Sequence, residues 1–319
     1  MKIWTMGEIL VEIMRVEEDM PLDEVNLFRG PYPSGAPAIF IDTVARLGHK
    51  AGIIGGVGED AFGRCNLQRL EQDGVDTRLV QCVSGSATAV AFVAYETSGE
   101  RTFIYHIGGT PATIAKCPEE IEVSDPVPAY FHIMGCSLMA DETFCEEIIK
   151  TAALFHRLGA KISFDPNIRT ELLRGREFSD FVAPIMQFCS VLLPGLEELR
   201  TLTGQTDIKS AIQLLFLNPV LEVVAVKMGK EGCRVFTRDS DFTLGVCNVD
   251  SVDPTGAGDS FDAAFLCGLL DGLSPLDAAR QASAAAALNT SAFGPMEGDI
   301  SQSNVKRMLE ANKLKEEYL

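Results

Sequence analysis

Short apolar runs alternate with amphipathic segments along most of the chain, and this rhythm restricts the possible folds more than any other feature. The runs Ala51–Val57 and Glu222–Lys227 are rich in β-branched residues, as in buried strands, whereas Ala61–Gln72 and Pro275–Ser291 carry apolar residues at helical spacing. Strands that alternate with helices form parallel sheets, and helices cover both faces of such sheets. We therefore predict one three-layer α/β domain over residues 1–319, with a mostly parallel central sheet.

A second group of segments breaks this rhythm and predicts a small additional sheet. These segments have strand patterns with no helix between them: Thr77–Val83, Ala87–Tyr95 and Thr102–His106, with a turn at Ser98–Glu100, and the separate run Ile9–Met14. We expect a small antiparallel sheet that stands apart from the main layer and serves as a lid, built from about residues 9–33 and 77–110. The exposed edge strands of such a lid favour pairing with a second copy, which predicts a homodimer.

The charge of the chain limits its partners. Its 319 residues carry a formal net charge of −18. An acidic surface repels nucleic-acid phosphates and anionic lipid surfaces, so neither nucleic acid nor a membrane is an expected partner. An anionic ligand such as a nucleotide would need local cations, Mg²⁺ and backbone N–H groups to offset the overall field.

The cysteine pattern predicts a reduced, cytoplasmic protein. Nine cysteines are dispersed along the chain, their number is odd, and no Cys-x-x-Cys pair occurs. The four histidines have no spacing typical of a zinc site. Glu8 interrupts the N-terminal segment before a signal-peptide apolar region forms, and no apolar run approaches the ~20 residues of a membrane-spanning helix.

The segment Asp253–Asp259, with the sequence Asp-Pro-Thr-Gly-Ala-Gly-Asp, is the strongest candidate for a chemical role. It lies between the extended stretch Cys247–Val252 and an apolar helix, and its two glycines let the backbone approach a ligand closely. Backbone N–H groups at a helix start bind anions such as phosphate. A carboxylate at Asp259 would repel a phosphate, but it suits an enzyme in which it accepts the proton of an attacking hydroxyl. The alternative is a glycine-rich turn followed by an acidic residue that favours the helix dipole.

This segment, extended to Phe261, resembles the C-terminal signature of the PfkB (ribokinase-like) carbohydrate kinases. Further motifs similar to those of the family follow one another in the family's order: Ser34–Ala38, Gly55–Asp60, Asp165–Arg169 and Val226–Gly232. The resemblance covers about residues 2–301. The family members that the chain resembles include fructokinases and 2-keto-3-deoxygluconate kinases. It implies a ribokinase-like fold and transfer of a phosphoryl group from Mg²⁺-bound ATP to a sugar hydroxyl. The acceptor would be a ketose such as fructose, or a 2-keto-3-deoxy sugar acid.

The resemblance also implies roles for individual residues. Asp259 would be the catalytic base, beside an anion hole formed by Gly256, Ala257 and Gly258. The ATP site would be lined by Lys227, Gly229, Gly232, Asn289 and Asn167. The residues that face the substrate would be Gly35, Ala36, Glu12, Tyr105 and Arg169. Glu198 would be a ligand of Mg²⁺, and Asp253 and Thr255 would bind a monovalent cation such as K⁺. Two of these roles have simpler alternatives: a plain hairpin turn for Gly229 and Gly232, and a surface position for Arg169.

Four positions depart from the family pattern. Ile39 stands where the family's element ends in Asn, which removes a hydrogen bond to a substrate hydroxyl. Gly195 replaces the Asn of an Asn-x-x-Glu motif linked to Mg²⁺, whereas Glu198 is retained. Glu12 occupies a place often held by a shorter, substrate-binding Asp. His106 stands where keto-sugar-acid kinases carry Arg, which removes a bidentate partner for a substrate carboxylate.

Three other functions are alternatives. The first two are a nucleoside kinase of the same fold and a non-catalytic sugar- or nucleotide-binding relative, which would have no need of a base beside an anion hole. The third is a dinucleotide-dependent oxidoreductase, because Gly56–Ala61 matches the pattern Gly-x-Gly-x-x-Ala. Glu59 and Asp60 would repel a pyrophosphate there, so we interpret them as acids at a helix N-terminus.

Overall fold

Fourteen strands and twelve α-helices occur in the residues described by the computed structural model, which are 1–97, 101–173 and 175–318. The predicted turn at Ser98–Glu100 lies outside these residues. The strands are β1 (Lys2–Met6), β2 (Leu10–Arg15), β3 (Phe28–Ser34), β4 (Lys50–Gly58), β5 (Val75–Val83), β6 (Ala89–Tyr95), β7 (Arg101–His106), β8 (Pro128–Met134), β9 (Lys161–Asp165), β10 (Cys189–Leu192), β11 (Val223–Lys227), β12 (Cys233–Phe236), β13 (Asp241–Leu244) and β14 (Glu316–Tyr318). The helices are α1 (Ala36–Arg46), α2 (Ala61–Gln72), α3 (Glu120–Val123), α4 (Gly135–Ala140), α5 (Glu142–Arg157), α6 (Thr170–Leu173), α7 (Ser179–Met186), α8 (Leu196–Thr203), α9 (Ile208–Leu215), α10 (Ala257–Leu270), α11 (Pro275–Thr290) and α12 (Gln302–Ala311).

Ten of the described strands form one large sheet, in the order β14-β13-β12-β11-β10-β9-β8-β1-β4-β5. The seven strands from β11 to β5 in this order run parallel. The other three extend the β11 edge as antiparallel strands. The predicted mostly parallel sheet is therefore confirmed.

Helices cover both faces of the large sheet, as strand β8 shows. His132 stacks on Phe40 of α1 with ring centroids 4.0 Å apart, and Phe131 stacks on Phe155 of α5 at 4.6 Å. Successive side chains of a strand point to opposite faces, so α1 and α5 lie on opposite sides of the sheet. The three phenylalanines are fully buried, and burial of a side chain of this size stabilises the fold by about 1.5–3 kcal/mol.

The small sheet has four strands in the order β3-β2-β6-β7. The two outer pairs are antiparallel and the central pair, β2 with β6, is parallel. The prediction that Thr77–Val83 belongs to this sheet was wrong, because these residues lie in β5, which pairs with β4 in the large sheet. The physical reason is helix α2, which separates β4 from β5, since a strand–helix–strand unit returns its second strand parallel to the first.

The glycine-rich segment before α2 is closed by the protein's own carboxylate. Asp60 caps α2: its side chain accepts hydrogen bonds from the backbone N–H of Gly63 at 2.8 Å and from the Thr88 hydroxyl at 2.7 Å. A pyrophosphate at this helix start would meet that carboxylate. The geometry therefore agrees with a structural interpretation of Gly56–Ala61.

All nine cysteines lie in the described residues and are free thiols, as predicted. Six of them are buried, where a thiol packs as a small apolar group. None of the helices in the described parts of the chain has the length and apolar character needed to cross a bilayer.

Candidate active site

The candidate site lies where parallel strands of the large sheet end. Glu8 follows β1, Cys136 follows β8, Asp165 ends β9, Gly195 follows β10 and Lys227 ends β11. Neighbouring parallel strands end at the same edge of a sheet, and ligands of α/β sheets bind at this edge. These five residues therefore meet in one place, and all of them line the same cavity.

A tight turn at Thr255–Gly258 leads into α10. Gly256 precedes the helix with a φ of 79°, and a Cβ at this position would lie 2.4 Å from the carbonyl oxygen of Pro295. Only glycine adopts this conformation here without strain. Because the first N–H groups of a helix have no acceptor within it, the turn presents donors and the positive end of the helix dipole to an anion. This geometry supports the prediction of an anion hole at Gly256, Ala257 and Gly258.

Buried polar side chains hold this turn in place. The Asp253 carboxylate accepts hydrogen bonds from the backbone N–H groups of Thr255 and Gly294, both at 2.9 Å. The Asn289 amide donates to the Thr255 carbonyl oxygen at 2.6 Å. Tyr95 reaches over from the small sheet, and its hydroxyl lies 2.9 Å from Thr255 Oγ1 and 3.2 Å from Asp253 Oδ1. Asp253 and Thr255, predicted to bind a monovalent cation, thus also fix the anion-hole turn through protein contacts.

Asp259 lies in the first turn of α10, with 8% of the residue exposed. Its Oδ1 accepts a hydrogen bond from Asn167 Nδ2 at 3.3 Å. Burial, together with the nearby Asp165 carboxylate, raises the pKa of Asp259 to about 7, although Lys227 and Arg169 oppose this shift. A carboxyl group with a pKa close to neutrality suits a residue that takes up a proton during a reaction.

Two cavities meet beside Asp259. One of about 250 Å³ lies against the small sheet, and we call it the polar pocket. The other, of about 470 Å³, lies between the β11–β12 hairpin and helices α10 and α11, and we call it the apolar pocket. Lys227, Pro254 and Gly258 line both, so the two pockets adjoin at the anion hole. Asp259 itself lines the polar pocket.

Every residue predicted to face the substrate lines the polar pocket, namely Gly35, Ala36, Glu12, Tyr105 and Arg169. Glu12 is buried there, and burial raises its pKa. Its Oε1 accepts a hydrogen bond from the Ser34 hydroxyl at 2.6 Å, whereas its Oε2 has no hydrogen-bond partner within the described part of the chain. A buried acceptor without a donor costs free energy, and a ligand hydroxyl would remove that cost.

Strand β7 presents alternate side chains to the polar pocket. Arg101, Phe103 and Tyr105 line it, whereas His106 is exposed on the opposite face of the small sheet. The absence of a guanidinium group at His106 therefore does not affect the pocket. Arg169 lies on the pocket wall and not on the open surface, so the pocket contains two guanidinium groups.

Glu198, the predicted Mg²⁺ ligand, also lines the polar pocket. Its Oε2 accepts a hydrogen bond from the backbone N–H of Gly195 at 2.7 Å, and its Oε1 accepts one from that of Ile168 at 2.8 Å. A carboxylate has about four acceptor positions, so these bonds leave some free. Residues 1–97, 101–173 and 175–318 contain no group of three acidic, His or Cys side chains that could hold a metal. Mg²⁺ usually needs only one or two carboxylates beside water and phosphates, so Glu198 and the nearby Asp165 fit an ion that arrives with a nucleotide.

The residues predicted to bind ATP fall into two groups. Lys227, Gly229 and Gly232 line the apolar pocket, so the turn between β11 and β12 is both a hairpin and part of a pocket wall. Asn167 and Asn289 do not line this pocket: Asn167 contacts Asp259 in the polar pocket, and Asn289 supports the anion-hole turn.

Sequence reasoning missed several residues of this site. Glu8 accepts hydrogen bonds from the Ser137 hydroxyl and, at 3.1 Å, from Cys136 Sγ. Two sequence signals could have identified missed residues. Glu8 lies just after the first strand. Arg101 lies four residues before Tyr105, which places both side chains on the same face of a strand. No sequence signal pointed to Asp262, whose ion-pair partner is Lys227.

Comparison with known proteins agrees with this geometry. Residues 2–302 match the protein family described as "pfkB family carbohydrate kinase". The fructokinase of Klebsiella pneumoniae is 31% identical over 271 residues, which cover 84% of this chain and 84% of that protein. The structure of a "putative Ribokinase II" from E. coli in complex with ATP and Mg²⁺ is 36% identical, with a TM-score of 0.89, and the match covers 98% of this chain and 99% of that one.

A double mutant of the fructokinase from Vibrio cholerae O395, solved with fructose, ADP and potassium ion, is 25% identical. Its TM-score is 0.81, and the match covers 97% of this chain and 98% of that one. The fold, the family match over nearly the whole chain and these relatives lead to one conclusion: this chain belongs to the pfkB family of carbohydrate kinases and has their ribokinase-like fold.

Proposed function

We propose that Asp259 is the general base of a kinase that transfers the γ-phosphoryl group of ATP to a sugar hydroxyl. The observation that carries this proposal is the buried Asp259 carboxyl, with a pKa of about 7, between an anion hole and a small polar pocket. Asp259 accepts the proton of the sugar hydroxyl, and the sugar oxygen forms a bond to the γ-phosphorus. The bond from that phosphorus to the bridging oxygen of ADP breaks. Backbone N–H groups of the anion hole stabilise the charge on the moving group.

The apolar pocket is the proposed ATP site. Small and apolar side chains line the part away from Asp259, among them Val249, Ala286 and Ala287, and these suit a flat base. The phosphates would then lie at the anion hole, with Lys227 beside them. Glu198 and Asp165 would hold Mg²⁺, and the ion would neutralise phosphate charge. A relative was solved with potassium ion, and we place a K⁺ site of this chain at the turn held by Asp253 and Thr255.

The polar pocket is the proposed sugar site. Its carboxylates, Glu8 and Glu12, suit the hydroxyl groups of a ketose such as fructose. The guanidinium groups of Arg101 and Arg169 also favour a second candidate, a 2-keto-3-deoxy sugar acid, because a planar guanidinium binds a carboxylate in two places.

An ADP-release assay over ketoses, sugar acids and nucleosides tests this function. We expect ADP release with a ketose or a sugar acid and a phosphorylated sugar as product. Release with nucleosides alone would replace the proposal by the nucleoside-kinase alternative. If no acceptor released ADP while calorimetry still detected ATP and sugar binding, the chain would be a non-catalytic relative.

The small sheet also supports the proposed homodimer. Phe28 and Ile104 are 39% and 45% exposed on it, and β3 and β7 are its two edge strands. Exposed apolar groups on a free sheet edge favour pairing with another chain. Light scattering should give twice the mass of 34.5 kDa, and Ile104→Lys should lower it. The free thiols support a cytoplasmic location.

A further inference from the structure

One lysine and two aspartates form a buried ion triad beside the active site. Lys227 Nζ lies 2.8 Å from Asp165 Oδ2, and 3.0 and 2.8 Å from the two carboxylate oxygens of Asp262. The exposed fractions of the Asp165 and Asp262 side chains are 3% and 0%. Two carboxyl groups and one ammonium group are therefore buried together. Such buried ion groups stabilise a fold little, or not at all, relative to apolar packing, so stability does not explain the triad.

The position of Lys227 offers another explanation. Its side chain is 17% exposed and lines both pockets. A Cβ on Gly258, in the middle of the anion hole, would lie 3.8 Å from Lys227 Nζ. An ammonium group has three N–H donors, and the two Asp262 oxygens can share one of them. One donor is then available to a ligand at the junction of the pockets.

The triad is also connected to the proposed base. The backbone N–H of Asn167 donates to Asp165 Oδ1 at 3.1 Å, and Asn167 Nδ2 lies 3.4 Å from Asp165 Oδ2 and 3.3 Å from Asp259 Oδ1. Asp259 and Asp262 lie three residues apart on α10, which places them on neighbouring parts of one helix face. The ammonium group and the base therefore belong to one hydrogen-bonded unit.

We propose that Lys227 is a catalytic residue that contacts the phosphoryl group during transfer, and that Asp262 is a positioning residue that holds its ammonium group at the anion hole. This inference rests on the proposed function and adds the cation that meets the moving charge. Lys227 keeps its proton throughout, while the sugar proton goes to Asp259.

The test separates binding of the ground state from binding of the transition state. Lys227→Met alone would leave two buried carboxyl groups without a cation, so the main variant is the double substitution Lys227→Met with Asp262→Asn, which removes the ammonium group together with one of its carboxyl partners. We expect kcat to fall by about 10²–10³-fold, as for loss of one stabilising donor, with KM for the sugar unchanged within about twofold. Affinity for MgADP should persist, whereas affinity for MgADP with aluminium fluoride and sugar, a mimic of the transferring phosphoryl group, should fall in parallel with kcat.

The single variant Asp262→Asn keeps the shape of the side chain and tests the positioning role. It should lower kcat by about tenfold, with an unchanged KM for ATP, because an amide offers the ammonium group one acceptor oxygen where the carboxyl group offers two. Asp42→Asn is the matched control: Asp42 is also buried, beside Arg46 and Arg69, but it lines neither pocket. Its kcat should match that of the wild type.

The inference is overturned if the folded double variant, or Asp262→Asn if the double variant does not fold, retains kcat within threefold of the wild type. It is also overturned if MgADP affinity falls as much as affinity for the aluminium fluoride complex, because Lys227 would then serve only nucleotide binding. Failure of the proposed function looks different, since the wild type itself would then transfer no phosphoryl group to any sugar in the panel.

Discussion

The two pockets that adjoin beside Asp259 offer a ligand different contacts. The polar pocket is small, and charged side chains from the strand ends and the small sheet line it, including Glu8, Glu12, Arg101 and Arg169. The apolar pocket has nearly twice the volume, and its wall consists largely of backbone and small side chains such as Gly229, Gly232, Ala286 and Ala287. The first pocket therefore suits a ligand that is recognised by charge and hydrogen bonding, and the second suits a ligand that is recognised by shape.

This difference has a consequence for mutagenesis. A charge-neutralising substitution should affect the polar pocket strongly and the apolar pocket weakly, and a substitution that adds volume should do the reverse. Asp259 lies at the boundary, where both ligands must be present, so its loss should affect turnover and neither binding step.

The largest expected effect comes from Asp259→Asn. We expect kcat to fall by about 10²–10⁴-fold with little change in either KM, because a general base acts only in the transition state. Asp277→Asn is the matched control, since Asp277 also occupies the third position of its helix, α11, but lies partly exposed beside Arg280. If both variants retained full turnover in the ADP-release assay, Asp259 would be merely an acid that favours its helix dipole.

The pH dependence of kcat/KM should also report on Asp259. Because the Asp259 pKa is about 7 and only the carboxylate accepts a proton, kcat/KM should fall about tenfold per pH unit below that value and level off above it. Stability should change in the opposite direction. Between the ordinary pKa of 3.8 and about 7, the native carboxyl group holds a proton that the unfolded chain has released, so the free energy of unfolding falls as pH rises through this window.

Asp259→Asn supplies the control for this stability change. Urea unfolding at pH 5 and pH 8 should show a smaller pH dependence in this variant than in the wild type. Equal dependence in both proteins would assign the change to other buried groups, such as Glu8 and Glu12, whose pKa values burial also raises.

Glu12→Gln should separate the two pockets. The substitution keeps the size of the side chain and replaces one carboxyl oxygen by an amide nitrogen, so the acceptor Oε2, which has no protein donor in the described residues, is lost. We expect KM for the sugar to rise about tenfold, from the loss of one hydrogen bond to the ligand, while KM for ATP stays unchanged. Glu18→Gln, exposed beyond the end of β2, is the control. A rise in KM for ATP instead would contradict the division between the pockets.

The smallest effect is expected from glycines in the wall of the apolar pocket. A Cβ at Gly232 would lie 2.0 Å from the Leu244 carbonyl oxygen, whereas a Cβ at Gly229 would meet no atom within 4 Å. Gly232→Ala should therefore move the wall, lower the melting temperature and raise KM for ATP about threefold, with no change in KM for the sugar. Gly229 also has a positive φ, but a Cβ at this position has room. Gly229→Ala should therefore lower stability by only ~1–2 kcal/mol and leave both KM values unchanged.

The sequence alone was sufficient for the parts of the site that are contiguous in the chain. The tight turn before α10 and the place of Asp259 in its first turn could be predicted because the glycines, the helix start and the acid all lie within seven residues, whereas their roles as anion hole and base stay predictions. The parallel sheet could also be predicted, because strands and helices alternate along the sequence.

Features that depend on distant partners could not be predicted. Lys227 and Asp262 are 35 positions apart, and nothing in either segment indicates the other. A strand pattern also does not specify a sheet, which explains the wrong assignment of Thr77–Val83. It does not specify which of its two faces is inside either, and this is why His106 was expected in the pocket and Arg101 was overlooked.

The small sheet supplies Glu12, Arg101, Phe103 and Tyr105 to the polar pocket, but none of the described residues lining the apolar pocket comes from it. Selection acting on these strands can therefore change the preferred sugar without altering the phosphoryl donor or the base. Related kinases with other sugar preferences could then differ mainly in this part of the chain. Exchange of β2 and β7 between two such relatives should transfer sugar preference, and the proposed base and anion hole at the start of α10 would be unchanged.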